Sequence, residues 1–248
     1  MKCGLLGERL GHSLSPQIHR LLGDYSYELA EVSPCALPSF LETTACDGLN
    51  VTIPYKKTVL PFCQSLSDEA RAVGAVNTMV RNSDGWHGYN TDVAGFACLL
   101  SQSGFSVEGK RCLVLGSGGA SAAVCYALEK AGGNPVVVSR TGEVNYENVE
   151  RYVDAPLLVN ATPVGMYPDL DSSPLDLRRL PGLRCLIDLI YNPSPTALLR
   201  QAASLGIPSF GGLLMLVAQA KYAAELFTGR EIADGRIEEI LPQIEKLL

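Results

Sequence analysis

The stretch Asn50-Val51-Thr52-Ile53-Pro54-Tyr55-Lys56 delivers a lysine just past what reads as a short strand. Val51 and Ile53 alternate with Asn50 and Thr52, the period of a half-buried strand. Pro54 stops the ladder because it has no N–H to donate. Lys56 therefore stands near a strand end, where α/β proteins concentrate their chemistry. An ammonium sheltered from water can act as a general acid, and the neutral amine as a base. The plainer alternative is a surface lysine opening a helix beside Lys57.

Other polar residues could share a site with it. Ser13 and Ser15 present hydroxyls at a helix start, with Ser15 in the N-cap position ahead of Pro16. Asn77 is an amide entering a strand, and Asn90-Thr91-Asp92 follows a strand and precedes a helix that Asp92 would cap. Gln219 interrupts an apolar helical run and must find a partner or a polar cleft. Tyr191 follows a strand at its carboxyl edge. No nucleophile–base pair and no Gly-x-Ser-x-Gly elbow accompanies this set. Hydroxyls, amides, one lysine and one carboxylate suit a small polyhydroxylated ligand bearing a carbonyl or alcohol. A lysine with a carboxylate suits proton transfer coupled to hydride transfer.

A hydride carrier has its own signature. Gly116-Ser117-Gly118-Gly119-Ala120-Ser121 follows a buried apolar segment and opens a helix. Glycines there let the backbone turn sharply and approach a pyrophosphate at the helix N-terminus. NAD-binding folds carry an acidic residue about 20 residues further on. Here Ser139-Arg140-Thr141 ends the next strand, an arginine and two hydroxyls suited to a 2′-phosphate. NADP is favoured over NAD, with Glu143 as the argument against.

Positioning these residues requires an α/β fold. Residues 2–6, 25–32, 48–53, 76–81, 85–89, 111–115, 135–139, 157–161, 185–189 and 207–210 read as strands. A helix opens at Ser15-Pro16, and others span 36–44, 67–73, 93–103, 120–131, 212–227 and 237–248, the last interrupted by Pro242. Asn82-Ser83-Asp84-Gly85 makes a hairpin turn. Strands alternating with helices imply a parallel doubly wound sheet. The expected organisation is an N-terminal α/β domain over 1–95, joined by C-terminal helices 212–248, and a Rossmann-like dinucleotide domain over 96–211, separated by a cleft. The segment 141–156 is short for a helical crossover.

Bulk properties exclude other classes. Of 248 residues, 47% are hydrophobic and 19% charged, which suits a globular core. A net charge of −6 with no basic run argues against nucleic acid. No apolar stretch resembles a membrane span, and the first residues lack a signal-peptide apolar region, so a cytoplasmic protein is expected. Eight cysteines form no Cys-x-x-Cys pair, and several lie in apolar runs that suit reduced core thiols. The histidines His12, His19 and His87 lack metal-ligand spacing, so no metal is expected.

Taken in order, Ser13-Leu14-Ser15-Pro16, the lysine stretch at 50–56, residues 74–78, Asn90-Thr91-Asp92, the glycine loop, Ser139-Arg140-Thr141, Asn160-Ala161-Thr162 and residues 212–220 resemble the shikimate dehydrogenase family over nearly the whole chain. The resemblance implies reduction of 3-dehydroshikimate to shikimate with NADPH, toward aromatic amino acids, by a monomer or homodimer. It implies Lys56 as acid/base with Asp92 as partner. Ser13, Ser15, Thr52, Asn77, Asp92, Tyr191 and Gln219 would hold shikimate. Gly116, Ser117, Gly118, Gly119, Ala120, Ser139, Arg140 and Thr141 would hold the cofactor, with Leu189 and Gly212 near the nicotinamide and Asp68 on the cofactor side. The chain departs from the family at Ser139, often Asn, and at Val144, where a second basic residue is usual. The competing readings are a quinate/shikimate dehydrogenase using NAD, and a nucleotide-binding regulatory module without turnover.

Overall fold

Lys2–Gly7 forms β1, buried from Cys3 onward because apolar side chains and glycines fill both its faces. The computed structural model describes residues 1–11 and 13–248; His12, read above as lacking metal-ligand spacing, lies outside the described residues. The chain forms two compact units, Met1–Gly95 with Val217–Leu247, and Phe96–Leu216 with Leu248.

In the first unit β1 is followed by α1 (Ser15–Leu22), β2 (Ser26–Glu31), α2 (Leu37–Thr43), β3 (Gly48–Val51), β4 (Cys63–Leu66), α3 (Asp68–Val73), β5 (Thr78–Asn82), β6 (Gly85–Tyr89) and the start of α4 (Asp92–Gln102). The six strands run in the order β2-β1-β3-β5-β6-β4. β1 pairs in parallel with β2 and β3, but β3–β5 and β5–β6 are antiparallel, so this sheet is mixed. The tight turn between Asn82 and Gly85 folds β6 straight back on β5 and leaves no room for a crossover helix.

Two sequence expectations need correction here. β3 is buried at all four positions and ends at Val51, and Ile53 is 76% exposed. Side-chain alternation holds only while the chain is extended, and a turn already begins past Thr52. Ser15 does not cap α1: it is the first helical residue, Leu14 takes the cap position, and no side-chain cap bond forms.

The second unit contains β7 (Arg111–Leu115), α5 (Gly119–Lys130), β8 (Asn134–Val138), β9 (Leu157–Asn160), β10 (Cys185–Asp188), α6 (Ala197–Ser204) and β11 (Ser209–Gly211). Its five strands are all parallel, in the order β11-β10-β9-β7-β8. The chain winds outward from β7 in both directions, so the topological switch point lies between β7 and β9. Only a 3-10 turn, Val149–Tyr152, stands between β8 and β9, as the short segment implies. Leu113, Leu115, Leu158, Leu186 and Leu198 form the core beneath.

Last come α7 (Leu213–Thr228) and α8 (Gly235–Glu245). α8 continues through Pro242 instead of breaking there. Its buried face of Ile237, Ile240 and Ile244 offsets the lost backbone hydrogen bond. Among the described residues no helix is long and apolar enough to cross a membrane.

α3 ends where the sequence stops it. Ser67 caps its start by accepting from the Ala70 N–H, and Gly74 ends it in the left-handed region at φ 66°. A Cβ on Gly74 would meet open space, so the cost of Gly74→Ala is purely conformational. Urea unfolding of that variant should show a loss of about 1 kcal/mol; equal stability would mean the left-handed turn is not what terminates α3.

Candidate active site

Lys56 is set by its neighbours in the chain. Tyr55 is buried and its phenol donates to the Val32 carbonyl, while the Lys56 carbonyl accepts from the Val76 N–H at 2.7 Å. These ties separate it from Lys57, which is exposed. The Lys56 Nζ donates to Asp92 Oδ2 at 2.6 Å, with only 18% and 9% of the two side chains exposed. Asp92 is the first residue of α4 and not its cap, since both carboxylate oxygens are taken by side chains.

Asn77 holds the other oxygen. Its Nδ2 donates to Asp92 Oδ1 at 2.9 Å and to Thr91 Oγ1 at 3.0 Å, and its Oδ1 accepts from the Thr91 N–H at 2.7 Å. The amide is thus spent on the start of α4. Thr78, Asn50 and Tyr27 extend the chain: Asn50 Nδ2 donates to Thr78 Oγ1 at 3.1 Å, and the Tyr27 hydroxyl donates to Asn50 Oδ1 at 2.7 Å. Burial pushes the Tyr27 phenol well above its ordinary value, and a hydrogen bond with Ser15 opposes the shift. Ser13 Oγ donates to Ser15 Oγ at 3.1 Å. One polar network therefore runs from the two serines to the Lys56–Asp92 pair, all within the first unit. Thr52 sits in the turn after β3, its carbonyl accepting from Tyr55 N–H at 2.9 Å, and Gln219 lies partly buried on α7.

Tyr191 and most of the expected cofactor residues belong to the second unit. Gly116 has φ 104°, and a Cβ there would lie 3.1 Å from the Ala161 carbonyl, so only glycine fits this turn. A Cβ on Gly118 would meet nothing within 4 Å. Gly118 precedes α5 with no side-chain cap, and no acidic residue enters the first turn. Ser117 and Gly118 are exposed beside Gly119 and Ala120, so the loop leaves backbone N–H groups accessible to an anion. Ser139, Arg140 and Thr141 follow β8 in a turn closed by Ser139 N–H to Val144 O at 3.1 Å; Arg140 and Thr141 are exposed, and Val144 packs on the core. Asp188 is fully buried and accepts from Asn160 Nδ2, Thr196 Oγ1 and the Ile190 N–H, which anchors the loop carrying Leu189 and Tyr191. A Cβ on Gly212 would collide with the Leu189 carbonyl. Asp68 is exposed in the first turn of α3, in the first unit.

Sequence reasoning missed Tyr27, Thr78, Thr91 and Asp188. One signal was available: Asn50 sits in an apolar segment, and a buried amide demands partners.

A doubly wound parallel sheet with a glycine loop at its switch point, and a mixed sheet carrying a lysine–aspartate pair, define a two-unit α/β protein of the dehydrogenase class. Residues 5–79 match the model of the shikimate dehydrogenase substrate binding domain. Shikimate dehydrogenase (NADP(+)) of Caldanaerobacter subterraneus subsp. tengcongensis is 36% identical, the alignment covering 91% of each chain. The crystal structure of a chorismate mutase/shikimate 5-dehydrogenase fusion protein from Clostridium acetobutylicum superposes with a TM-score of 0.93 at 35% identity, over 99% of this chain and 97% of that one. Shikimate 5-dehydrogenase from Thermus thermophilus, in complex with NADP(H) and shikimate, gives 0.89 at 34% identity over 98% and 99%. The chain belongs to the shikimate dehydrogenase family.

His19 borders the network. Its ring stacks on Tyr27 with centroids 3.9 Å apart, and its Nδ1 lies 2.6 Å from the Tyr25 hydroxyl. Burial lowers its pKa from 6.5 to about 3. The unfolded chain therefore binds a proton that the folded chain refuses, and stability is lost as pH falls from 6.5 toward 3. The contribution reaches about 1.4 kcal/mol per pH unit in that window. His19→Phe keeps a stacking ring and removes the titration. Its denaturant-measured stability should fall less steeply than wild type between those limits; parallel slopes would show that His19 titrates freely in the folded state.

Proposed function

We propose that this chain catalyses the reversible NADPH-dependent reduction of 3-dehydroshikimate to shikimate, with Lys56 as acid/base and Asp92 as its partner. The observation that carries the reading is the 2.6 Å Lys56–Asp92 contact, held on its far side by Asn77. In the direction of reduction Lys56 gives its proton to the carbonyl oxygen; in reverse, neutral Lys56 takes it from the hydroxyl. Asp92 fixes Nζ in place for both directions. Ser13, Ser15, Thr52, Gln219 and Tyr191 hold the rest of shikimate, and Asn77 joins them only by giving up one of its bonds to Thr91 or Asp92.

Bound NADP supplies or accepts the hydride. The uncapped, acid-free start of α5 and the open space over Gly118 fit a pyrophosphate, so residues Gly116, Ser117, Gly118, Gly119 and Ala120 would hold it. Ser139, Arg140 and Thr141 would take the 2′-phosphate, with Leu189 and Gly212 nearer the nicotinamide and Asp68 on the cofactor side. A second reading, use of NAD, is favoured by Val144, whose side chain packs on the core and leaves Arg140 the only cation in residues 139–144. Eight cysteines held as thiols suit the reducing cytoplasm, in a monomer or homodimer.

Mixing the protein with shikimate and NADP⁺ at alkaline pH should give reduced nicotinamide, followed spectrophotometrically. A folded protein with no signal would overturn the catalytic reading in favour of a nucleotide-binding module. Parallel assays with quinate and NAD⁺ separate the dehydrogenase readings. Lys56→Ala should lower kcat about 10²–10⁴-fold while calorimetry still detects shikimate binding. Near-normal turnover would remove Lys56 from the role.

A further inference from the structure

Thr78 is fully buried at the centre of the first unit's sheet, paired across β3 with Asn50 and across β6 with Tyr89. Valine has the same shape and suits a buried strand better. The hydroxyl therefore needs a reason, and its contacts supply one. Oγ1 lies 3.1 Å from Asn50 Nδ2, 3.1 Å from Asn77 Oδ1 and 3.2 Å from Thr91 Oγ1. Nδ2 of an amide can only donate, so Thr78 accepts from Asn50. Its single hydrogen is left for the Asn77–Thr91 side, and Asn77 Oδ1 is the acceptor there.

That bond has a geometric consequence. The Thr91 N–H holds Asn77 Oδ1 at 2.7 Å and the Thr91 hydroxyl stands 3.2 Å from it, but both donors belong to the one residue that leads into α4. Thr78 adds the donor that comes from β5, and so ties the amide to the sheet as well as to the start of α4. Nδ2 is then aimed at Asp92 Oδ1, 2.9 Å away, and Asp92 at Lys56. We propose that Thr78 is a positioning residue for the Lys56–Asp92 pair, acting through the Asn77 amide. The inference rests on the proposed dehydrogenase reading for its kinetic arm and on geometry alone for its spectroscopic one.

The test compares Thr78→Val, which keeps the shape and loses the hydroxyl, with Thr78→Ser, which keeps the hydroxyl. With shikimate and NADP⁺, Thr78→Val should lower kcat about tenfold while KM for shikimate moves less than about threefold, and Thr78→Ser should return kcat to within about threefold of wild type. Wild-type turnover is measured first, because its absence overturns the functional reading and not this one. The second arm needs no turnover. Solvent exchange of the Asn77 side-chain NH₂ protons, read by NMR, should be at least about tenfold faster in Thr78→Val than in wild type. If Thr78→Val does not fold, Thr78→Ala is read in the same way. A loss of thermal stability with unchanged kcat, or unchanged exchange at Asn77, overturns the proposal.

Discussion

A lysine and an aspartate in contact, each largely shielded from water, set the terms for the first unit. Two charges withdrawn from water lose hydration, and their mutual attraction repays this only when the remaining lone pairs and protons are also met. Asp92 satisfies that condition through Asn77, and Asn77 in turn through Thr91 and Thr78. Lys56 comes from the turn after β3, Asn77 from the entry to β5, and Asp92 from the start of α4 beyond β6. Placing these three together requires β3, β5 and β6 as neighbours in the sheet. A parallel arrangement would put crossover helices between them. The antiparallel hairpin at 78–89 instead brings the chain back within a few residues, so the break in the parallel sheet and the proximity of the pair have one cause.

The second unit solves a different problem with parallel strands. Its glycine loop lies at the carboxyl end of β7, beside the switch point, where adjacent loops diverge and leave a crevice. Asn160 and Asp188 end the next two strands and bond to each other at 2.9 Å, which locks the two carboxyl ends in register. Thr196 also serves twice: it donates to Asp188 and caps α6 by accepting from Leu199 N–H. Asp188 keeps a raised pKa because burial outweighs these donors. A loop tied this way can carry Leu189 and Tyr191 with little freedom.

Local patterns make some of this legible and hide the rest. The lysine stretch, the glycine loop, the Asn82–Gly85 turn and the Gly74 stop are signals spanning only a few residues, and the structure contains each of them. Element ends are harder to read. Alternation carries β3 on to Ile53 because it does not reveal where extension stops, and a local rule breaks the last helix at Pro242 because it ignores burial along Ile237, Ile240 and Ile244. Ser15 and Asp92 both belong to good capping types, yet Ser13 and Tyr27 claim the one side chain and Lys56 and Asn77 the other. Tyr27 carries no local signal, and Thr78 and Thr91 are legible only as members of the segments 74–78 and 90–92, with nothing local to show what they hold. Tyr27 meets Asn50 across 23 residues and Asn50 meets Thr78 across 28, distances that only the strand order can close.

Asn77 shows why this distinction matters for chemistry. Read alone, it is one more amide available to a ligand. In the fold its two N–H bonds go to Asp92 and Thr91, and its oxygen is already met by the Thr91 N–H and by the Thr91 and Thr78 hydroxyls. A ligand reaching Asn77 must therefore compete with bonds inside a buried network, and breaking one leaves a buried polar group unpaired at about 1–3 kcal/mol. Ser13 and Thr52 face no such cost, because each is only partly buried. The residues best placed to meet a ligand are those at the margin of the network, and those inside it spend their hydrogen bonds on keeping Lys56 and Asp92 in place.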